Sequence, residues 1–153
     1  MIADDVFRSR LQATIASLRY WVPTIADQAH VEQVDGHQAW KLSVRPNDHP
    51  ACPFELVLRT DQHYDIAVAG ETFEDLPVQS LDAFLPLVEA IAAGRVVQRR
   101  TESVMTGAPL SVETRVMLKD GSIWSQRRDL PVHARIADAE TAVHDRHFIP
   151  YRR

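Results

Sequence analysis

Apolar residues recur along this chain at two different periods, and the switches between them restrict the fold more than any other feature. Phe7, Leu11, Ile15, Leu18, Val22, Ile25 and Ala29 follow one another at steps of three or four, a single stripe on a 3.6-residue helix. From Trp40 the step falls to two. Trp40, Leu42 and Val44, then Phe54, Leu56 and Leu58, then Tyr64, Ile66 and Val68 alternate with polar residues, as strands with one wet face do. The helical step returns at Leu81, Phe84, Leu85, Val88, Ile91 and Ala92. Beyond Gly94 three further strand-like runs are read: Val96 to Met105, then Leu110, Val112, Val116 and Leu118, then the residues from Ile123. This predicts an α+β fold, a two-layer sandwich in α-βββ-α-βββ order. An antiparallel sheet of about six strands would carry two main helices on one face.

Local signals punctuate that order. Asp4 and Asp5 suit a helix start, where carboxylates meet the positive end of the helix dipole. Pro23 interrupts the first stripe and predicts a kink or two helices meeting near Trp21 and Val22, with Gly36 as the stop. Pro46-Asn47-Asp48-His49-Pro50 reads as loop, and Asp61-Gln62-His63 as a strand connection. Ser80 is a favourable N-cap for the second helix and Gly94 its end, while Pro86 leaves the first turn unplaced.

Length and composition bound the rest. With 153 residues the chain suits one domain, 45% hydrophobic and 25% charged residues argue against disorder, and no disulfide or metal is needed to hold such a core. Residues 1–130 are expected to form the single α+β domain. Residues 131–153 read as a polar, His-rich tail, with one short helix over Asp138 to His147. Cys52 is the only cysteine and has no intramolecular partner. No apolar run reaches the roughly 18 residues that span a bilayer. The acidic start, unlike the basic and then apolar start of a signal peptide, points to a cytoplasmic protein. Charge is uneven: 6 Lys or Arg against 14 Asp or Glu up to Gly94, then 11 against 7. Such a dipole steers partners or favours contact between unlike faces.

Motifs with catalytic meaning are missing. With five glycines there is no phosphate loop, no Gly-x-Ser-x-Gly elbow, no paired-cysteine site and no His-Glu-x-x-His. Three weaker constellations stand beside their bland explanations. His144 and His147 would share a helix face and, with His133 upstream and Asp145 or Glu140, offer nitrogen and oxygen ligands to a metal; a solvated tail explains them equally. Asp61, His63, Tyr64 and Asp65 put carboxylates, an imidazole and a phenol in one turn, which acid–base catalysis or plain turn preference accounts for. The pairs Arg99-Arg100, Arg127-Arg128 and Arg152-Arg153 suggest phosphate contacts. Alternation across a strand splits the first two pairs between faces, so nucleic acid is not the expected partner. No cofactor is implied.

The expectation that carries function is structural. If Asp120-Gly121 is a two-residue hairpin turn, Leu118 faces Ile123, Met117 faces Trp124, Arg115 faces Gln126 and Glu113 faces Arg128. Met117 and Trp124 would then lie on the face away from the helices, where large apolar side chains usually mean a cover. The readings are the tail folding back, through Ile136 and Val143, self-association or a protein partner, and plain exposure. The leading reading is a non-catalytic binding or assembly module, a homodimer or a protein-docking surface, using Met117, Trp124, Arg115 and Arg128. The alternative is a small enzyme, or a metal- or ligand-binding protein. It would use a helix–sheet cavity near Thr114 and whichever of Arg99 or Arg100 points inward, or else the His133, His144 and His147 cluster. The order of elements resembles that of the small acidic dimeric chaperones of type III secretion, from which the basic second half departs. That resemblance implies a dimer and rests on outline alone.

Overall fold

A computed structural model describes residues 2–130 and 140–151. Helix α1 runs over Asp4–Trp21 and passes into a 3-10 turn over Val22–Ile25. Strands β1 (Ala29–Asp35), β2 (Ala39–Pro46), β3 (Phe54–Arg59), β4 (His63–Val68) and β5 (Glu71–Pro77) follow. A 3-10 turn over Leu81–Ala83 leads into α2 (Phe84–Ala92), and then come β6 (Val96–Ser103), β7 (Pro109–Met117), β8 (Ile123–Asp129) and β9 (Thr141–His147). The strands form two antiparallel sheets, ordered β1-β2-β3-β4-β5 and β8-β7-β6-β9. The α+β class holds; the single six-strand sheet is replaced by sheets of five and four.

The covered face of the first sheet is the one the alternation predicts. Trp40, Leu42, Val44, Phe54, Leu56, Leu58, Tyr64, Ile66 and Val68 are all buried, and cross-strand partners such as Leu42 and Leu56 share that face. Phe7, Leu11, Ile15, Leu18 and Trp21 of α1 join the same core, as do Phe84, Leu87, Val88 and Ile91 of α2. Near one end of the second sheet, Val96 and Val116 complete it.

Three strands escape the periodicity, each for a physical reason. Ile25 and Ala29 stay buried as the helical stripe requires, but the helix ends at Trp21. Pro23 starts a tighter turn there, and β1 is an edge strand whose later inward positions, Gln33 and Asp35, are polar. Gly36 ends this strand rather than a helix, and a side chain there would collide with the Ala39 carbonyl at 2.8 Å. Strand β5 hides its alternation behind a bulge. Phe73 pairs with Ile66 and Leu76 with Tyr64, so β5 carries one residue more than β4 between those pairs, and Asp75 takes a φ of +59° to absorb it. Strand β9 occupies residues expected to be helical, because Thr141 to His147 pair along the whole of β6. Thr141–His147 are therefore part of the second sheet.

The helix ends also differ from expectation in detail. Ser80 precedes the 3-10 turn in an extended conformation and makes no side-chain cap, so α2 begins at Phe84. Pro86 is then its third residue, where an amide has no intrahelical acceptor and nothing is lost. At the other end Gly94 adopts a φ of +79°. Arg95 N–H donates to the Ala90 carbonyl and Gly94 N–H to that of Ile91, the paired closure of a left-handed helix stop. The chain end is bound beside it: Tyr151 N–H donates to the Ala92 carbonyl at 2.9 Å, and its buried hydroxyl to the Cys52 carbonyl at 2.5 Å.

Candidate functional site

The β7–β8 hairpin decides which residues share a surface, and it closes differently from a two-residue turn. Leu118 N–H donates to the Ser122 carbonyl at 2.8 Å and Gly121 N–H to the Leu118 carbonyl at 3.0 Å, so the loop is Lys119-Asp120-Gly121. Gly121 takes a φ of +90°, and the Asp120 carboxylate accepts from both the amide and the hydroxyl of Ser122. These hydrogen bonds hold the Asp120 carboxyl below its ordinary value. A three-residue loop of this kind, with a glycine at the left-handed position, shifts the register by one. One residue is enough to turn every side chain over.

Met117 therefore faces Ile123, and Trp124 faces Val116. The expected Met117–Trp124 pair does not form. Trp124 turns inward, partly buried against the core, donates its indole N–H to the Tyr64 hydroxyl at 3.0 Å and meets Phe73 edge to face at 6.1 Å. Arg128 follows it inward, opposite Val112, and grips Glu71 of β5 through two bonds of 2.7 and 3.0 Å in place of Glu113. Met117 and Arg115 remain on the outer face, and Ile123 opposite Met117 is the apolar neighbour the two-residue turn concealed, each 55% exposed.

The outer face of the second sheet carries a row of alternating charge, one residue from each strand in spatial order: Arg127, Glu113, Arg99 and Asp145. Arg99 grips Asp145 through two bonds of 2.9 and 3.1 Å, and that contact holds the Asp145 carboxyl below its usual range. Along the strands Arg115 pairs with Glu113 at 2.6 Å and Arg127 with Asp129 at 2.8 Å. Arg99 is thus the outward member of its pair and Arg100 the inward one, opposite Val112. Arg100 lies beyond the core, 52% exposed and bound to Glu102, rather than in a cavity. Buried Thr114 is satisfied by the Gln98 side chain at 3.4 Å.

The other candidates are taken apart by the topology. His144 and His147 sit on a strand three positions apart, so His144 faces inward opposite Arg100 and His147 outward opposite Val97. His133 lies outside the described residues, as do Arg152 and Arg153. Among the described residues no three His, Cys, Asp or Glu side chains are grouped for a metal. The Asp61–Asp65 turn is likewise divided: Tyr64 is inside the core, where burial raises its phenol, while Asp61, Asp65 and Asp75 surround Arg59 on the other face. The Arg59 hydrogen bond lowers the Asp61 carboxyl, which suits a fixed ion pair better than a proton donor. Between α2 and the β7–β8 hairpin lies a hollow of about 200 Å³, lined by Phe84, Leu87, Leu118, Ile123 and Trp124 among others and by no arginine.

These features define an α+β protein of two antiparallel sheets, the second with an outer face ordered by charge. Among the described residues no helix is long and apolar enough to cross a membrane. No family model, curated protein or solved structure matches the chain.

Proposed function

We propose that the protein is a non-catalytic assembly module that pairs with a second copy of itself through the outer face of the second sheet. The observation that supports this is the charge order Arg127, Glu113, Arg99, Asp145 across its four strands. A copy turned over about an axis running along the strands, between β6 and β7, presents the same row reversed. Arg127 then meets Asp145 of the other copy and Glu113 meets Arg99, in both directions at once, as a two-fold interface requires. Met117 and Ile123 add apolar surface at one end of this face. Four strands of about seven residues offer roughly 450 Å² of flat face per copy. At about 900 Å² in total that is smaller than a stable specific interface, so the dimer is weak, transient and salt-sensitive. Because Arg99 depresses the Asp145 carboxyl, that end of the row keeps its charge at neutral pH. It loses the charge only as pH falls through the depressed value, below the ordinary carboxylate range.

Sedimentation equilibrium tests the reading with a charge swap. Arg99→Glu or Glu113→Arg alone places like charges together twice per dimer and should weaken association by about 10- to 100-fold. The double variant Arg99→Glu/Glu113→Arg makes the row +,+,−,−, which is again complementary to its own reverse, and should restore dimerisation. A wild-type chain that stays monomeric at about 1 mM in low salt, or a double variant no better than the single ones, would overturn it.

A further inference from the structure

We infer that the cleft at the joint between the two sheets binds the oxyanion group of a small molecule, held by Arg45 and Arg146. The cleft has a volume of about 370 Å³, within the usual small-molecule range. Its walls are the end of β2, the loop that follows it, the Ala69–Gly70 turn and the end of β9. Gln98 ties that turn to the second sheet by donating to the Ala69 carbonyl at 3.4 Å. The site therefore spans both sheets.

Two arginines without a carboxylate partner meet in this cleft. Arg19, Arg59, Arg99, Arg100, Arg115, Arg127 and Arg128 each have a carboxylate within 4.0 Å. Arg8, Arg10, Arg45, Arg95 and Arg146 have no such ion pair among the described residues, and of these Arg45 and Arg146 line this one space beside His49. Asp48 lines the cleft too and has an interaction of its own. Asp145, next to Arg146 in sequence, cannot neutralise it, because it lies on the opposite face and is held by Arg99. The Arg146 guanidinium rests over the Phe148 ring, 4.5 Å from its centroid. Stacking covers one face of the cation and leaves its N–H edge for a planar or tetrahedral oxyanion. Ala51, Pro53 and Phe148 supply apolar surface for the body of the ligand. The shared chemistry is thus a carboxylate or phosphate on a small, partly apolar molecule.

The cleft lies apart from the outer face of the second sheet, so its test is independent of dimerisation. Inorganic phosphate and benzoate are titrated separately into the full chain, at ionic strength fixed with chloride, and the amide signals of Gly70 and Arg146 are followed by NMR. At least one probe should give saturable shifts at both positions. Arg45→Gln and Arg146→Gln should each weaken binding by about tenfold, and Arg19→Gln, which removes an arginine paired with Asp35 away from the cleft, should leave it unchanged. Tighter phosphate binding identifies a phosphate monoester, tighter benzoate binding a carboxylate. Absence of saturation by either probe up to about 50 mM, or equal binding by a folded Arg45→Gln/Arg146→Gln double variant, would overturn the inference.

Discussion

Replacing Trp124 by alanine is expected to destabilise the protein by about 3 kcal/mol, a fall of roughly 6 to 12 °C in Tm. The indole sits between the second sheet and the first, against Phe73, with its N–H bound to Tyr64. Truncation removes that packing and also leaves the Tyr64 hydroxyl, itself in a buried residue, without the indole donor. Trp124→Phe separates the two contributions. It keeps aromatic contact with Phe73 and loses the hydrogen bond, so its cost should be about 1 kcal/mol from that bond plus a smaller packing loss. Met117→Ala, on the exposed outer face, should change stability by no more than about 0.5 kcal/mol. Chemical denaturation followed by circular dichroism measures all three. A Trp124→Ala variant as stable as Met117→Ala would mean that the indole lies outside the core.

Gly94→Ala should be at least as damaging, at about 3 to 5 kcal/mol. An alanine there adopts the left-handed conformation at a cost of about 1 to 2 kcal/mol. Its Cβ would also stand 2.6 Å from the Ile149 carbonyl carbon and the Pro150 nitrogen, both backbone atoms with little room to move. Relief requires the chain end to lift from α2, which breaks the bonds of Tyr151 to Ala92 and Cys52. Burial pushes the Cys52 thiol up to about 12, so it is unreactive while the chain end is in place. Faster labelling of Cys52 by a thiol reagent in Gly94→Ala than in the wild type reports the lifting directly. Gly107→Ala is the control, since Gly107 has a φ of +69° but nothing within 4 Å of an added Cβ. It should cost only the conformational part and leave Cys52 protected.

What the sequence makes legible follows from where one face of an element is fully covered. Trp40 to Val68 alternate cleanly because three neighbouring strands press the same face onto the helices, and each inward position is apolar. The two helices are readable for the same reason. Strands β1 and β9 lie at sheet edges and β5 contains a bulge, so their alternation is polar or broken and no period survives. The division into two sheets leaves no local trace, since it depends on β5 and β6 not pairing across α2. The four members of the outer charge row are visible in the sequence as separate residues, but their order across four strands requires β9, which composition disguises as a tail. The cleft was not legible at all, because Arg45 and Arg146 are a hundred residues apart and only the fold brings them to one space.

Every assignment of a β8 side chain to the inner or outer face of the second sheet depends on the length of the β7–β8 loop. Cross-strand α-proton contacts in a two-dimensional NMR spectrum read it directly, because residues at a non-hydrogen-bonded antiparallel position bring their α-protons closest. A strong contact between the α-protons of Met117 and Ile123 is the result predicted here. A contact between Leu118 and Ile123 in its place would restore the two-residue turn, return Trp124 to the outer face and contradict the charge row on which the dimer is built.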